Sequence, residues 1–505
     1  MCPHDNLEEC SKRVEFIASY CNLGNAKTYR TKVAILGGGV SGISAALNLT
    51  AANITDFMMI EARDVLGGRA QDAPFADVNV ELGCNWVQGL GTNPINQLAL
   101  KYKLRTAVTN GNDVVFYSPK GKINATERLN QLYKDYDAMT EMAMKRVEKD
   151  QVDLSGRAGL DLSGWYPRDS IDNAIEYYVW DWEMGETPEL SSTIFTAVND
   201  NWTYTGFGPD SDGDNMVLDP RGFKYIFLEE SKKALKPNDS RLLLNTIVTK
   251  IKYDKKGVTV YTKQGDIIKA DYAITTFSIG VLQHKDIKWS PPLPSWKLEG
   301  IYGFHMATYT KIFLNFPYKF WDDNQFVVWA DSDQRGYYTA WQNLNVPGFL
   351  SENSTSNIFF VTVTQDMSYH VEAMKDDDVK DEIMQVLRQM YGDDIPEPTD
   401  FLFPRWRSNP LFRGSYSNWP IGELDEHHAN MKASLKNRVW FAGEAMSAHY
   451  FGFLQGAWFS GAETGANVAQ CILKECPPSI YYPIITNAKL SSSIVRRSFL
   501  GNFNN

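Results

Sequence analysis

The sequence predicts an α/β chain, in which a parallel-sheet, Rossmann-like domain is interleaved with an α+β domain built on a mixed sheet. Three observations predict it. The apolar run Val33-Ala34-Ile35-Leu36 leads directly into Gly37-x-Gly39-x-x-Gly42 and a helical stretch, Ile43-Ser44-Ala45-Ala46-Leu47. A second apolar run, Phe57-Met58-Met59-Ile60, ends on Glu61. Segments of the same buried-strand character return only after Gly222 and again at Arg438-Val439-Trp440-Phe441, with long stretches of different pattern between. Apolar runs without alternation fit strands covered on both faces, as parallel sheets are.

Each glycine of the first motif has a mechanical task. Gly37 makes the tight turn, Gly39 lets a pyrophosphate approach the backbone, and Gly42 lets helix and strand pack closely. The helix that follows Gly42 offers free N–H groups and its positive dipole end to phosphates. Glu61 stands roughly 20 residues on, where a carboxylate accepts the ribose hydroxyls of an adenosine. Strand, glycine turn, helix, strand and acid in that order read as a dinucleotide site. A structural turn with a surface glutamate is the alternative the residues leave open. Gly67-Gly68-Arg69 follows, with two glycines for a close turn and a guanidinium able to face a phosphate.

Along the chain, residues 1–29 form a polar extension with a short helical pattern, Val14-Glu15-Phe16-Ile17. Residues 30–105 hold the motifs above, together with the strand and glycine turn between Val78 and Gly89. From 106 to 219 the pattern is helical, over Ala125 to Lys149 and Ile171 to Glu183. An acidic, glycine-rich loop from Tyr204 to Asp219 follows, expected to be exposed and mobile. Strand patterns resume in 220–299, at Leu242 to Ile251, Gly257 to Tyr261 and Tyr272 to Thr276. Residues 300–404 open on an alternating run, Tyr302 to Leu314, and carry a helical pattern from Asp378 to Tyr391. The first domain is completed by 405–475, with the strand at Val439, the Gly443-Glu444 turn, and the stretch Gly452 to Ala457 leading into a helix through about Ala469. Residues 476–505 read as a surface or disordered tail.

At 505 residues the chain is long enough for two large domains. Its 43% hydrophobic and 22% charged content is that of a folded globular protein. A net charge of −11 argues against a nucleic-acid partner and favours cationic ligands. Cys2, Cys10, Cys21, Cys84, Cys471 and Cys476 lack metal-ligand spacing, so no metal is expected; Cys10 and Cys21 are able to pair in an oxidising compartment. No apolar run approaches the about 18 residues of a transmembrane helix. Neither a signal-peptide core nor a peroxisomal tripeptide is present, so a cytoplasmic chain is the first reading and a secreted one is left open. The N-x-S/T triplets at Asn48, Asn53, Asn124, Asn201, Asn238 and Asn353 are near chance in an Asn-rich chain. A monomer is the expected state.

The succession GxGxxG, Glu61, Gly67-Gly68-Arg69 and Gly83-Cys84-Asn85-Trp86-Val87 resembles the flavin-containing amine oxidases, and among them the plant-type polyamine oxidases. The resemblance covers about residues 31–475. It implies a glutathione-reductase-like FAD domain and oxidation of a C–N bond in a small cationic amine to an imine. O₂ would be reduced to H₂O₂ and the imine hydrolysed to an aldehyde. It also places Gly37, Gly39, Ser41, Gly42, Glu61, Arg69, Trp86, Gly443 and Glu444 around the FAD, with the backbone near Val248 holding the adenine. Animal monoamine oxidases tether the flavin to a Cys near the Gly-Glu turn. No Cys lies between 85 and 470 here, so the FAD is expected to be non-covalent.

Amine oxidation requires an aromatic slot, a group that orders water near the flavin, and a means of attracting a cation. Alternation in Tyr309-Thr310-Lys311-Ile312-Phe313 puts Tyr309, Lys311 and Phe313 on one face. On residue types alone, a lysine snorkelling from a strand edge fits that pattern better than a functional one. The resemblance assigns Lys311 the water contact to the flavin, and Tyr309 a place beside the slot. It makes Tyr416 and Phe453 the flanking rings, Phe453 standing where a Tyr is common. Glu183 matches an acidic tunnel residue, with Glu186 three positions on. Gln88 stands where plant-type polyamine oxidases carry a second Glu. Loss of that charge should weaken dication binding and improve the standing of neutral or monocationic amines, including cyclic or secondary-metabolite ones. A catalytically silent flavin-binding protein is the rival from another class.

Overall fold

The computed structural model describes residues 26–482. Thr28–Leu36 lies near the middle of an eight-stranded sheet, and its last four residues are fully buried. Phe57–Ile60 pairs parallel to it on one side, with Leu242–Leu243 beyond. Ile267–Thr275 pairs parallel on the other side. That strand serves two neighbours along one edge. Its first half pairs with Val258–Thr262, antiparallel, and its second half with Val439–Phe441, parallel. The sheet is thus assembled from three separate stretches of chain, which is why its sequence signature comes and goes.

Two helices cover one face at very short range. A Cβ on Gly461 would lie 2.2 Å from the Ser41 carbonyl oxygen, and one on Gly465 would lie 2.8 Å from that of Ala45. Glycine at both positions lets Leu454–Leu473 press against Val40–Ala51. Ser41 and Ser44 hydroxyls then donate to the carbonyls of Ala457 (2.8 Å) and Trp458 (2.7 Å).

A second sheet has seven strands, in the order Asp400–Leu402, Tyr309–Asn315, Ile358–Thr364, Ala340–Asn343, Phe326–Trp329, Val114–Ser118, Gly121–Ile123. Only the pair Phe326–Trp329 and Val114–Ser118 is parallel, so the sheet is mixed. One face packs Ile312, Leu314 and Trp329 against Ile383 and Leu387 of the helix Asp376–Tyr391. The other packs Phe326 and Val328 against Leu129, Leu132 and Met139 of Thr126–Glu148. Smaller sheets join the two bodies: Trp86–Gln88, Asp214–Val217 and Thr106–Val108 form one, His305–Ala307 and Tyr416–Asn418 another.

Several expectations need correction. The first strand starts at Thr28, inside the stretch read as an N-terminal extension. The Val14–Ile17 pattern and the Cys10/Cys21 pairing fall outside the described residues. Tyr302 and Gly303 end a helix, Ser295–Gly303, rather than opening a strand. The segment read as a mobile loop from Tyr204 contains the paired strand Asp214–Val217, held by buried Met216 and Val217. The helix read through Glu183 is interrupted by a π-helical turn, Tyr177–Asp181. A disulfide joins Cys471 and Cys476, a pair the spacing did not single out. The described part of the tail is docked: Asn430 and Tyr482 exchange two hydrogen bonds, and Tyr481 stacks on Trp296.

Candidate active site

A cavity of about 480 Å³, within the usual range for ligand sites (roughly 300–1,000 Å³), runs between the two large sheets. Gly37, Gly39, Ser41, Glu61, Arg69 and Val248 line one end. Trp86, Gln88, Glu183, Tyr309, Tyr416 and Phe453 line the other, and Gly443 and Glu444 also face it. Of the residues singled out from sequence, Gly42, Lys311 and Glu186 do not line it.

At the first end the glycines fit their assigned tasks. Gly37 has φ +113°, and a Cβ there would meet Thr276 Oγ1 at 2.3 Å. A Cβ on Gly42 would lie 2.1 Å from the Gly37 carbonyl oxygen, so its role is packing beneath the turn. Gly39 caps Val40–Ala51 without any side-chain hydrogen bond, leaving the helix N-terminus uncapped. Opposite it, Gly67 donates to the Gly38 carbonyl (2.9 Å), so the two glycine turns face each other. Glu61 is pinned by backbone: Gly38 N–H donates to Oε2 (2.6 Å) and Arg63 N–H to Oε1 (2.8 Å). Burial raises its pKa against these stabilising bonds. A carboxylate has about four acceptor directions, so ribose hydroxyls can still be received.

Arg69 departs from expectation. Its Nη1 donates to Glu444 Oε1 (2.8 Å) and to the Ser415 carbonyl (3.0 Å), so it faces the cavity as half of an ion pair rather than as a lone cation for a phosphate. Glu444 Oε2 in turn accepts from Gly452 N–H (2.8 Å), Ser417 N–H (3.3 Å) and the Ser417 hydroxyl. One carboxylate thereby ties together the Gly443 turn, the Arg69 turn, the Tyr416 strand and the approach to the last helix.

At the second end Lys311 sits just behind the wall, 1% exposed. Its Nζ donates to the Gly83 carbonyl (2.7 Å) and, at 3.4 Å, to Asn85 Oδ1, both in the segment that runs into Trp86. The Trp86 and Phe313 rings lie 5.9 and 6.0 Å away. Burial pulls its pKa down to about 8, with Glu81 opposing. The strand face predicted from alternation is the one observed. Tyr309 and Tyr416 rings stand 5.9 Å apart, and the Tyr416 hydroxyl donates to the Glu183 carbonyl (2.8 Å). Phe453 is the N-cap of the last helix.

Glu183 is brought directly against Gln88, whose amide donates to Oε1 at 2.8 Å. Burial first, then Asp214 and Asp200, push the Glu183 carboxyl up to about 8. Burial likewise pushes Asp214 to about 7 and Asp200 to about 6. Asp214 lies across from Gln88 in the antiparallel pair, and Asp200 accepts from the Tyr136 hydroxyl. Sequence reading missed both acids, because Asp214 looked like part of an exposed loop and only strand register brings it here. Glu186 points elsewhere, accepting from Asn418 Nδ2 (2.8 Å) and meeting His305 Nδ1 at 3.0 Å.

A glycine-lined nucleotide cradle leading to an aromatic, acid-ended chamber defines a dinucleotide-cofactor oxidoreductase. Residues 40–473 match the family described as "Flavin containing amine oxidoreductase". Polyamine oxidase 1 of Zea mays is 36% identical over 476 residues, covering 89% of this chain and 92% of that protein. Polyamine oxidase 7 of Oryza sativa subsp. japonica is 36% identical over 480 residues, with 86% and 94% covered. Among solved structures, a putrescine oxidase bound to putrescine superposes with a TM-score of 0.70 at 18% identity, covering 87% of this chain and 99% of that one. The chain belongs to the flavin containing amine oxidoreductase family and is an FAD-dependent amine oxidase. The opposed glycine turns, the uncapped helix and the pinned Glu61 fit the nucleotide half of FAD.

Proposed function

We propose that the chain oxidises polyamines, and that the acid-ended chamber is where the cationic substrate is held. The carrying observation is that Glu183, Asp200 and Asp214 lie together, while no ion pair among the described residues reaches any of them. Buried carboxylates without a cation hold protons instead, and an entering ammonium group takes the place of those protons. Tyr309, Tyr416 and Phe453 supply apolar walls that exclude water from the reacting carbon. When bound, FAD would supply the two-electron redox chemistry that links amine oxidation to reduction of O₂. Lys311, reaching the wall through Gly83 and Asn85, is the protein group assigned to that region.

Non-covalent FAD fits the one free cysteine among the described residues. Cys84 lines the cavity as a half-buried thiol whose pKa is raised by its desolvated surroundings, which makes it a poor nucleophile. With the first strand included from Thr28, we assign 28–105, 220–299 and 405–475 to the FAD-binding domain and 106–219 and 300–404 to the substrate domain. Among the described residues no helix is long and apolar enough to cross a membrane. The Cys471–Cys476 disulfide supports an oxidising compartment over the cytoplasmic reading.

A second reading rests on the Gln88–Glu183 hydrogen bond, which puts a neutral amide where a second charge would bind a dication. It favours an oxidase of a monocationic amine, such as a cyclic or secondary-metabolite one. The test is anaerobic mixing of the yellow holoenzyme with spermidine, spermine, their N-acetyl forms and monoamines, followed by admission of O₂ and assay of H₂O₂. Bleaching by a polyamine supports the first reading. Bleaching by monoamines alone replaces it with the second, and bleaching by none leaves a silent flavoprotein.

A further inference from the structure

Glu186 takes no part in the chamber, yet it follows Glu183 by three residues and is 6% exposed. It closes the turn behind Glu183, where Trp182–Met184 ends on Gly185 at φ +70°. This turn lies across one face of the ribbon formed by His305–Ala307 and Tyr416–Asn418. In that antiparallel pair His305 stands opposite Asn418 and Ala307 opposite Tyr416, so these side chains share a face. Each of them meets the turn. A Cβ on Gly185 would lie 2.9 Å from the Tyr416 hydroxyl oxygen and 3.0 Å from the Ala307 Cβ. The Tyr416 hydroxyl donates to the Glu183 carbonyl (2.8 Å). Glu186 Oε2 accepts from Asn418 Nδ2 (2.8 Å) and stands 3.0 Å from His305 Nδ1.

Only the last of these contacts carries charge on both sides. Facing a carboxylate, His305 Nδ1 serves as the donor, and no other cationic group among the described residues is ion-paired with Glu186. The remaining charges nearby sit on three other elements. Glu423 packs against Gly303 and faces His427 Nδ1 at 3.0 Å. Tyr369, on the helix Gln365–Ala373, feels the Glu186 charge and lies under the Arg407 guanidinium, 3.9 Å from its ring. The hydrogen bond to Glu186 raises the His305 pKa above its ordinary 6.5, with desolvation opposing and the charges of Glu186 and Glu423 assisting.

We propose that Glu186 and His305 are positioning residues for the cationic substrate, their ion pair clamping the turn behind Glu183 onto the Tyr416 ribbon. The clamp fixes the Glu183 carboxyl and the Tyr416 ring in the relation that receives an ammonium group. The inference rests on the reading of Glu183 as the seat of that group. Neither Glu186 nor His305 lines the cavity, so both act through the turn. The ion pair is complete below pH 6.5 and is lost as pH rises through the raised value of His305. Above it a neutral imidazole retains only an ordinary hydrogen bond, about half as strong as a charge-assisted one.

The test is anaerobic bleaching of the holoenzyme by spermidine at pH 6 and pH 9, which separates apparent affinity from limiting rate. In His305→Gln the affinity should be about five-fold weaker than in the native enzyme at pH 6 and close to native at pH 9, with limiting rate and FAD content kept. Titration of spermidine and of Glu183 cancels in that ratio. His305→Lys, whose cation persists through this range, should match the native enzyme at pH 6 and bind more tightly than it at pH 9. Glu186→Gln, which keeps an acceptor for Asn418 Nδ2, should behave as His305→Gln does. Ratios that stay the same at both pH values in His305→Gln and Glu186→Gln overturn the proposal, as does a His305→Lys enzyme that follows His305→Gln. Glu183→Gln at pH 9 tests the reading beneath it. Unaltered affinity in that variant, or a native flavin that spermidine does not bleach, overturns the chamber reading and the proposal with it.

Discussion

Glu183 competes for its ligand with a proton, and Gln88 sets the terms of that competition. The carboxyl, raised to about 8 by burial and by the nearby acids, is largely protonated at neutral pH. A bound cation stabilises its ionised form, so binding expels a proton. Affinity for a permanently charged diammonium competitor should then rise by up to about ten-fold per pH unit between pH 6 and 8, and level off above. A permanently charged ligand is needed because an ordinary amine titrates too. Replacing the amide with an acid adds a second charge at hydrogen-bonding distance from the first. Gln88→Glu should therefore raise the kcat/KM ratio for a dicationic over a monocationic amine by about ten-fold, on the order of 1.4 kcal/mol. An unchanged ratio would remove Gln88 from the specificity argument.

Elements show why one end of the cavity was legible in the sequence and the other only partly so. Gly37, Gly39, Gly42 and Glu61 act within a single βαβ unit, so their spacing alone carries the nucleotide site. Alternation puts Lys311 on one strand face with Tyr309 and Phe313, but only the family resemblance gives that lysine a role. Asp200 and Asp214 belong to a helix and a strand whose meeting depends on strand register, which no local pattern encodes. The π-helical turn Tyr177–Asp181 is of the same kind. Its hydrophobic pattern reads as plain helix, and the turn is held from outside. The Tyr177 hydroxyl accepts from Thr364 N–H (3.0 Å) in the second sheet. Arg335 grips Asp181 through both oxygens (2.5 and 2.6 Å) and Glu176 at 2.9 Å. The turn aims Trp182 and Glu183 into the cavity. Arg335→Met would leave Asp181 buried with no counter-charge, a change that costs about 3–5 kcal/mol in comparable pairs. The variant should melt at lower temperature and show a raised KM for the cationic amine, with FAD content retained. A lowered melting temperature with an unaltered KM would mean that Arg335 supports the fold but does not aim Glu183.

For the whole molecule, the acid-ended chamber makes stability depend on pH and on ligand together. Glu183, Asp214 and Asp200 keep protons in the folded protein up to about 8, 7 and 6, where ordinary values are 4.5 for Glu and 3.8 for Asp. Between those limits the folded state binds more protons than the unfolded chain. Stability is therefore greatest at the acid end of the window and falls as pH rises through it. The net charge of −11 acts in the same direction, through self-repulsion. Lys311 acts in the opposite direction only above about 8, where the unfolded chain still holds a proton that the folded one has released. The melting temperature of the FAD-loaded protein should fall by a few degrees from pH 6 to pH 8.5. A saturating diammonium ligand should restore most of that loss at pH 8.5 and little at pH 6, because it stabilises the carboxylates only where they are ionised. Asp200→Asn removes one titrating acid without touching the cavity lining, and should make the fall shallower. A profile that is flat in the native protein, or that the ligand shifts equally at both pH values, would mean that the chamber does not trade protons for its substrate.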